Sequence, residues 1–575
     1  MFRLLRLIKP YRLLLAAVLT LAFLQAMANL FLPTIMADIV DKGILTGDSG
    51  YIVRRGALML VVAVCGTACA VTASFFSSRI AIGFGRIVRD RIFSHVEHFS
   101  LHEFDRFSTA SLITRTTNDT TQIQQVLTMI FNMTITAPLM IIGGVILAFS
   151  QDASLTWVLV GAMPMVAALF LLIMRRAIPL FQAIQVKLDK LNLILDEVLS
   201  GVRVIRAFDR SAHENRRFDA ANLDLTDTSI KVNRTVAFMM PGMMATLNLT
   251  SLAILWFGSI RVDAGEMQIG SLIAFLQYSA FILWSVLMMT VMFIMLPRAA
   301  ASATRINEVL AVAPEIEDPA QPRAAEAEHG YVQFDHVTFS YPGAEEPALC
   351  DVSFSAGPGE VTAIIGSTGS GKSTLVSLIP RFYDVDQGRV LVDGVDVRDM
   401  RQLELRAKIG FVPQKAVLFT GSIADNVRYG KLDASEAEVQ QAARTAQATE
   451  FVSGMAEGFE SAVAQGGLNL SGGQKQRLSI ARALVKRPEI YVFDDSFSAL
   501  DFATDARLRS ALKDETAGAT VFIVSQRVGT IMDADRIIVL DDGRVAGIGR
   551  HHELLERCEV YREIVESQIS LEEAA

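Results

Sequence analysis

Six stretches in the first half of the chain carry no charged side chain, and each is long enough to cross a bilayer, which takes about 20 helical residues. They run Leu13–Ala37, Gly56–Ser78, Leu127–Phe149, Leu155–Met174, Val236–Ile260 and Leu272–Leu296. One such stretch reads as a buried core helix as easily as a membrane span. Six in succession predict a multi-pass membrane domain. The first is too long for a signal peptide and lacks a convincing small-residue cleavage site.

Basic residues set the expected orientation. Arg3, Arg6, Lys9 and Arg12 precede the first span, Arg79, Arg86, Arg89 and Arg91 follow the second, and Arg175, Arg176, Lys187 and Lys190 follow the fourth. Gln151–Ser154 and Arg261–Gly270, which are short and poor in positive charge, fall on the other side. The positive-inside rule then puts both termini, and everything after the last span, in the cytoplasm of a cell with this chain in its cytoplasmic membrane. The inner connections, about 79–126 and 175–235, are too long and too regular for loops. Leu188–Leu199 has helical periodicity and no breakers, so the spans are expected to continue as stalks and turn back through short cross-helices. Ser108–Arg115 and Ala207–His213 are the expected cross-helices.

No span holds an Asp, Glu, Lys, Arg or His, which argues against ion-coupled transport and places the energy source elsewhere. The fifth and sixth spans are rich in methionine (Met239, Met240, Met243, Met244, Met288, Met289, Met292, Met295). Methionine suits surfaces that re-pack around varied apolar ligands, and it also serves as ordinary filler. Pro241-Gly242 is placed to interrupt the fifth span. The sixth is expected to run on as a helix to about Ala311.

From Tyr331 onward short strand-like runs alternate with helical segments, the texture of an α/β domain. The expected organisation is an all-α membrane domain over 1–311, a linker over 312–330 and an α/β domain over 331–575. Composition agrees: of 575 residues 51% are hydrophobic and only 20% charged, and a net charge of −8 leaves no basic footprint for nucleic acid. The four cysteines are too scattered for a disulfide framework, and Cys65 and Cys69 lack neighbours for a zinc site.

Three local patterns in the α/β domain carry chemistry. Gly366-Ser367-Thr368-Gly369-Ser370-Gly371-Lys372-Ser373, followed by Thr374, matches the phosphate-binding loop G-x-x-x-x-G-K-[ST] between an apolar run, Val361–Ile365, and a helical one. Glycines let bare backbone N–H groups approach phosphate oxygens. Lys372 is placed for the β- and γ-phosphates and the Ser373 hydroxyl for Mg²⁺. Tyr491-Val-Phe-Asp494-Asp495 is an apolar run ending in acids, with Asp494 suited to the metal and Asp495 to the attacking water. Leu470-Ser471-Gly472-Gly473-Gln474 opens a second helix with a second anion-binding N-terminus. One γ-phosphate does not need two such ends, so the second is expected to serve a neighbouring subunit.

With these motifs in hand, the whole chain resembles the ATP-binding cassette (ABC) exporters. LSGGQ, here Leu470–Gln474, is that family's signature. By the same resemblance Tyr341 stacks on adenine, Gln414 in Phe411-Val-Pro-Gln senses Mg²⁺, and Asp501 in Ser498-Ala-Leu-Asp lies where two cassettes communicate. The implied fold is six membrane helices plus one α/β P-loop cassette, two halves sharing two ATP sites with Mg²⁺.

Two positions depart from the family pattern. Asp495 stands where a catalytic Glu is usual, and Gln526 in Val524-Ser-Gln-Arg527 stands where a switch histidine is usual. Both would weaken this chain's own site while its signature stays intact. The reading that follows is the degenerate-site half of a heterodimeric multidrug-type exporter, moving hydrophobic or amphipathic compounds. Its partner would be a non-identical half with a competent Glu and His. A slow homodimer, a lipid or peptide exporter half, and a regulatory or channel-like half are the alternatives.

Overall fold

The computed structural model describes residues 2–324 and 329–568. Contacts divide the chain into two compact units, one comprising Met1–Glu97 with Thr109–Val312, the other His98–Ser108 with Ala313–Ala575.

The first unit is built of long helices: α1 (Arg12–Ile39), α2 (Ser49–Val96) and, after the short α3 (Leu101–Phe107) of the second unit, α4 (Thr109–Gln151), α5 (Ala153–Ser200), the short α6 (Val202–Ala207), α7 (Ser211–Asp263) and α8 (Ile269–Ala311). Each expected span lies inside one of them, and six are long and apolar enough to cross a membrane. At 48 residues, α2 and α5 are about 70 Å long, far beyond a ~30 Å hydrocarbon core. The spans thus continue as stalks.

The short connections share one end of this unit. Asp152 caps α5 by accepting from Leu155 N at 2.9 Å, and its second oxygen accepts from Arg261 Nε at 2.7 Å near the end of α7. Asp41 accepts from Gly270 N at 2.6 Å, which brings the turn after α1 to the start of α8. Deeper in, the buried Tyr278 hydroxyl of α8 donates to the Leu30 carbonyl of α1 at 3.1 Å and meets Thr34 Oγ1 at 2.6 Å. Proline acts as expected in α7. Pro241 has no N–H for the Ala237 carbonyl, and the helix is interrupted beside it, at Phe238.

The short cross-helices differ from expectation. Ser100 and Glu103 form a capping box that starts α3 at Leu101, and Ser108, with φ 55°, ends it. Glu103, 2% exposed, also accepts from Glu315 N at 3.0 Å, so this piece belongs with the second unit. The expected Ser108–Arg115 is the beginning of α4. Likewise the helix between α5 and α7 is Val202–Ala207. The expected Ala207–His213 covers the end of that helix, the turn after it, where Asp209 takes φ 49°, and the start of α7.

In the second unit an antiparallel sheet contains β1 (Val332–Phe339), β2 (Leu349–Ala356), β4 (Gln387–Val392) and β5 (Val395–Asp396) in the order β2-β1-β4-β5. The larger sheet has the order β12-β11-β3-β10-β9-β6. Its members are β3 (Val361–Gly366), β6 (Ile409–Val412), β9 (Ile490–Asp494), β10 (Thr520–Val524), β11 (Arg536–Asp541) and β12 (Arg544–Gly549). All of its pairs are parallel except β11 with β12. β9 and β10 are buried along their whole length, as continuous apolar runs in a parallel sheet should be. β7 (Gly421–Ser422) and β8 (Ala462–Val463) form a small separate pair.

Candidate nucleotide site

Parallel register gathers the site. Val524 pairs with both Asp494 and Ile364, and Val412 pairs with Phe493. The loop after β3, Gln414 after β6, Asp494-Asp495 at the end of β9 and Gln526 after β10 therefore leave the same edge of the sheet. In open α/β sheets that edge is where ligands bind.

The loop is a cradle that side chains would fill. A Cβ on Gly366 would fall 2.2 Å from the Leu540 carbonyl oxygen and 2.5 Å from Ser370 Oγ. Gly369 and Gly371 take φ 90° and 94°, a region that glycine enters freely. Helix α9 (Lys372–Leu378) starts at once. The Lys372 ammonium folds back over the loop and donates to the Gly366 carbonyl at 3.0 Å and the Ser367 carbonyl at 2.6 Å. Burial pulls Lys372 below the ordinary lysine range, and Asp495 and Asp494 work against that.

Ser373 Oγ donates to Asp494 Oδ1 at 2.8 Å. Burial pushes the Asp494 carboxyl up; the Ser373 bond opposes this and the charge of Asp495 adds to it. Gln414 Nε2 donates to Asp495 Oδ2 at 3.2 Å. Asp495 itself is buried, with φ 44° and its N–H bonded to the Val524 carbonyl at 3.1 Å. Glycine amides, an ammonium, a hydroxyl and two carboxylates, one of them held up by burial, form a donor set that fits a magnesium nucleotide.

Tyr341 stands at the side of this cradle, 39% exposed, its hydroxyl 2.9 Å from Thr374 Oγ1. Tyr383 packs edge-on to it with centroids 5.5 Å apart. Burial, with Tyr341 and Asp105 adding to it, pushes the Tyr383 phenol up to about 12. Tyr383 went unnoticed in the sequence because nothing local marks it.

Gln526 is exposed, and its carbonyl accepts from Gln568 Nε2 at 2.8 Å. The neighbouring Arg527, also unremarked in the sequence, donates to the Ser498 carbonyl at 3.0 Å and lies 5.4 Å over the Phe502 ring. It ties the segment after β10 to the Ser498–Asp501 segment.

The signature forms a separate place. Ser471 caps helix α10 (Gly472–Lys486): its Oγ accepts from Gln474 N at 3.3 Å while Gln474 Oε1 accepts from Ser471 N at 2.9 Å. Gly473 abuts the Ser498–Asp501 segment, a Cβ there falling 3.1 Å from the Ala499 carbonyl, whereas nothing lies within 4 Å of a Cβ on Gly472. Asp501 caps helix α11 (Phe502–Glu515) by accepting from Thr504 N at 2.9 Å. Among the described residues, no hydrogen bond joins Ser471, Gly472, Gly473 or Gln474 to the phosphate loop.

A phosphate cradle at the edge of a parallel sheet, preceded by six membrane-length helices, defines a membrane-embedded P-loop ATPase. Two family models match in succession: the ABC transporter transmembrane region over residues 15–286 and the ABC transporter model over residues 349–498. An uncharacterized ABC transporter ATP-binding protein of Mycobacterium tuberculosis is 46% identical over 98% of this chain and 97% of its own length. An ATP-dependent lipid A-core flippase of Pseudomonas fluorescens is 31% identical over 87% and 83%. A solved bacterial Atm1-family ABC exporter with ATP bound superposes with a TM-score of 0.81 at 25% identity, covering 97% of this chain and 99% of that one. The chain belongs to the ABC transporter family, as an exporter with membrane and nucleotide-binding domains fused, and its cassette couples ATP hydrolysis to transport.

Proposed function

We propose that this chain is the degenerate-site half of a heterodimeric exporter of hydrophobic or amphipathic compounds in the cytoplasmic membrane, with its termini and cassette in the cytoplasm. The membrane domain would occupy 1–311 and the cassette 331–575, joined through the linker at 312–330. In its own site Tyr341 would stack on adenine, with its hydroxyl held by Thr374. The Gly366–Gly371 amides and Lys372 would take the phosphates. Ser373, Asp494 and Gln414 would hold Mg²⁺, which when bound neutralises charge on the β- and γ-phosphate oxygens. Asp495 would orient the attacking water and Gln526 would face the γ-phosphate.

The observation that carries the two-subunit reading is the open end of α10. Its first-turn amides at Gly472 and Gly473 offer an anion-binding helix N-terminus, and among the described residues no phosphate loop of their own chain is bonded to them. Leu468 and Phe502, close in sequence to the signature and to Asp501, are 84% and 80% exposed, apolar surface that a second cassette would cover. Unequal halves follow from Asp495 and Gln526. A carboxylate one methylene short misplaces the base by about an ångström, and such an error can cost on the order of 10²-fold in rate. An uncharged glutamine lacks the imidazole's charge toward the γ-phosphate. A partner with Glu and His, completed by this chain's signature, keeps one competent site.

The test is to label the complex with Mg-ATP and follow the nucleotide at each loop through steady-state turnover. ATP should persist at this chain's loop after the partner's site has turned over many times. Equal hydrolysis at the two loops contradicts the reading and favours a homodimer-like pair.

A further inference from the structure

We propose that a cavity within the membrane domain binds uncharged, hydrogen-bonding amphipaths, with the Gln25 and Asn29 carboxamides as its recognition groups. This rests on the exporter reading and names the substrate class of that transporter. The cavity, of about 420 Å³, lies among α1, α4 and α8, within the roughly 300–1,000 Å³ typical of small-molecule pockets. Gln25 and Asn29 sit one turn apart on one face of α1 and both line it, together with Met140, Trp284 and Met288.

Polar groups at membrane depth have no bulk water to satisfy them, so each must find a partner. The hydroxyls here have done so: Thr136 Oγ1 donates to the Asn132 carbonyl at 2.9 Å and Ser285 Oγ to the Phe281 carbonyl at 2.7 Å. Among the described residues, neither the Gln25 nor the Asn29 carboxamide, nor the Trp284 indole N–H, has a hydrogen-bond partner, though all three line the cavity. They are what the cavity offers a ligand. A carboxamide both donates and accepts, which matches an amide or hydroxyl group. Among the described residues no charged one lines the cavity, so a charged headgroup would be buried without a counter-ion, which is strongly unfavourable. Methionine adapts its shape to the apolar remainder.

The probe is radiolabelled N-dodecanoylglycinamide, bound to the purified transporter in lipid nanodiscs at pH 8, with dodecylammonium and dodecyl phosphate as charged competitors on the same tail. The neutral amide should bind saturably and at least tenfold more tightly than either charged analogue. Gln25→Leu and Asn29→Leu should each weaken it about fivefold, the size of one hydrogen bond. Asn29→Asp should invert the preference toward dodecylammonium, a gain that a misfolded protein does not produce. Charged competitors as good as the amide, or Leu variants that bind like the parent, overturn the proposal. ATPase activity sensitive to Gly472→Asp in the same preparation keeps the two readings apart. Charge-blind binding beside intact ATPase removes the cavity assignment alone. Amide-selective binding without ATPase removes the exporter reading and keeps the cavity.

Discussion

The Gln414 carboxamide donates to the Asp495 carboxylate across 3.2 Å, so the residue that follows β6 holds the acid that follows β9. That acid is already constrained by its left-handed backbone and by the bond from its N–H to Val524. Both constraints fix the carboxylate one methylene short of where a glutamate would reach.

If this chain's site is degenerate as proposed, a longer acid at 495 together with an imidazole at 526 should speed it. Asp495→Glu combined with Gln526→His is expected to raise steady-state ATPase of the complex by about tenfold when the partner's own base is disabled, since a positioned base contributes roughly 10²–10⁴-fold. Turnover unchanged by the pair of substitutions would show that geometry at Asp495 is not what slows this loop.

Asp494 carries a cost in the folded cassette. Burial raises its folded-state pKa above the ordinary aspartate value, so its contribution to stability is complete below about pH 3.9 and is lost as pH rises through the folded value. Once ionised, the carboxylate, close to Asp495, opposes folding of the nucleotide-free cassette. Asp494→Asn is expected to raise its Tm in the pH range where the carboxylate is ionised, with the gain shrinking as pH falls toward 4. Mg²⁺-dependent ATP affinity should fall in the same variant. A lowered Tm in that range would count against this account.

The two glycine-rich loops should respond oppositely to a methyl group. At Gly366 it meets the Leu540 carbonyl and Ser370, so Gly366→Ala is expected to destabilise the cassette by about 2–4 kcal/mol and to abolish nucleotide binding. At Gly472 it meets open space, and Gly472→Ala should stay within about 0.5 kcal/mol of the parent. Thermal unfolding of both variants side by side distinguishes them.

What was legible in the sequence was what neighbouring residues encode together. The phosphate loop, the acids at the end of β9 and the signature cap are each complete within eight residues, and the spans are complete within about twenty-five. Contacts that join distant segments left no such mark, as with Tyr383 against Tyr341 or Arg527 against Ser498. The short cross-helices lie between these cases. Ser100 and Glu103 are a readable capping box that fixes α3 at Leu101, while the end of α6 depends on a left-handed Asp209 that periodicity does not reveal. The methionines show the same limit: Met288 lines the membrane cavity, whereas Met240 and Met244 are 53% and 65% exposed.

The division of labour between the chain's two anion-binding helix ends is tested most directly by steady-state ATPase of the complex carrying one of two substitutions. Gly472→Asp puts a carboxylate where backbone amides and the helix dipole should meet the partner's γ-phosphate. On the proposed reading, Asp495→Asn removes the weak base of this chain's own site. Near-complete loss from Gly472→Asp with most turnover retained in Asp495→Asn is the predicted result; comparable losses from both would contradict it.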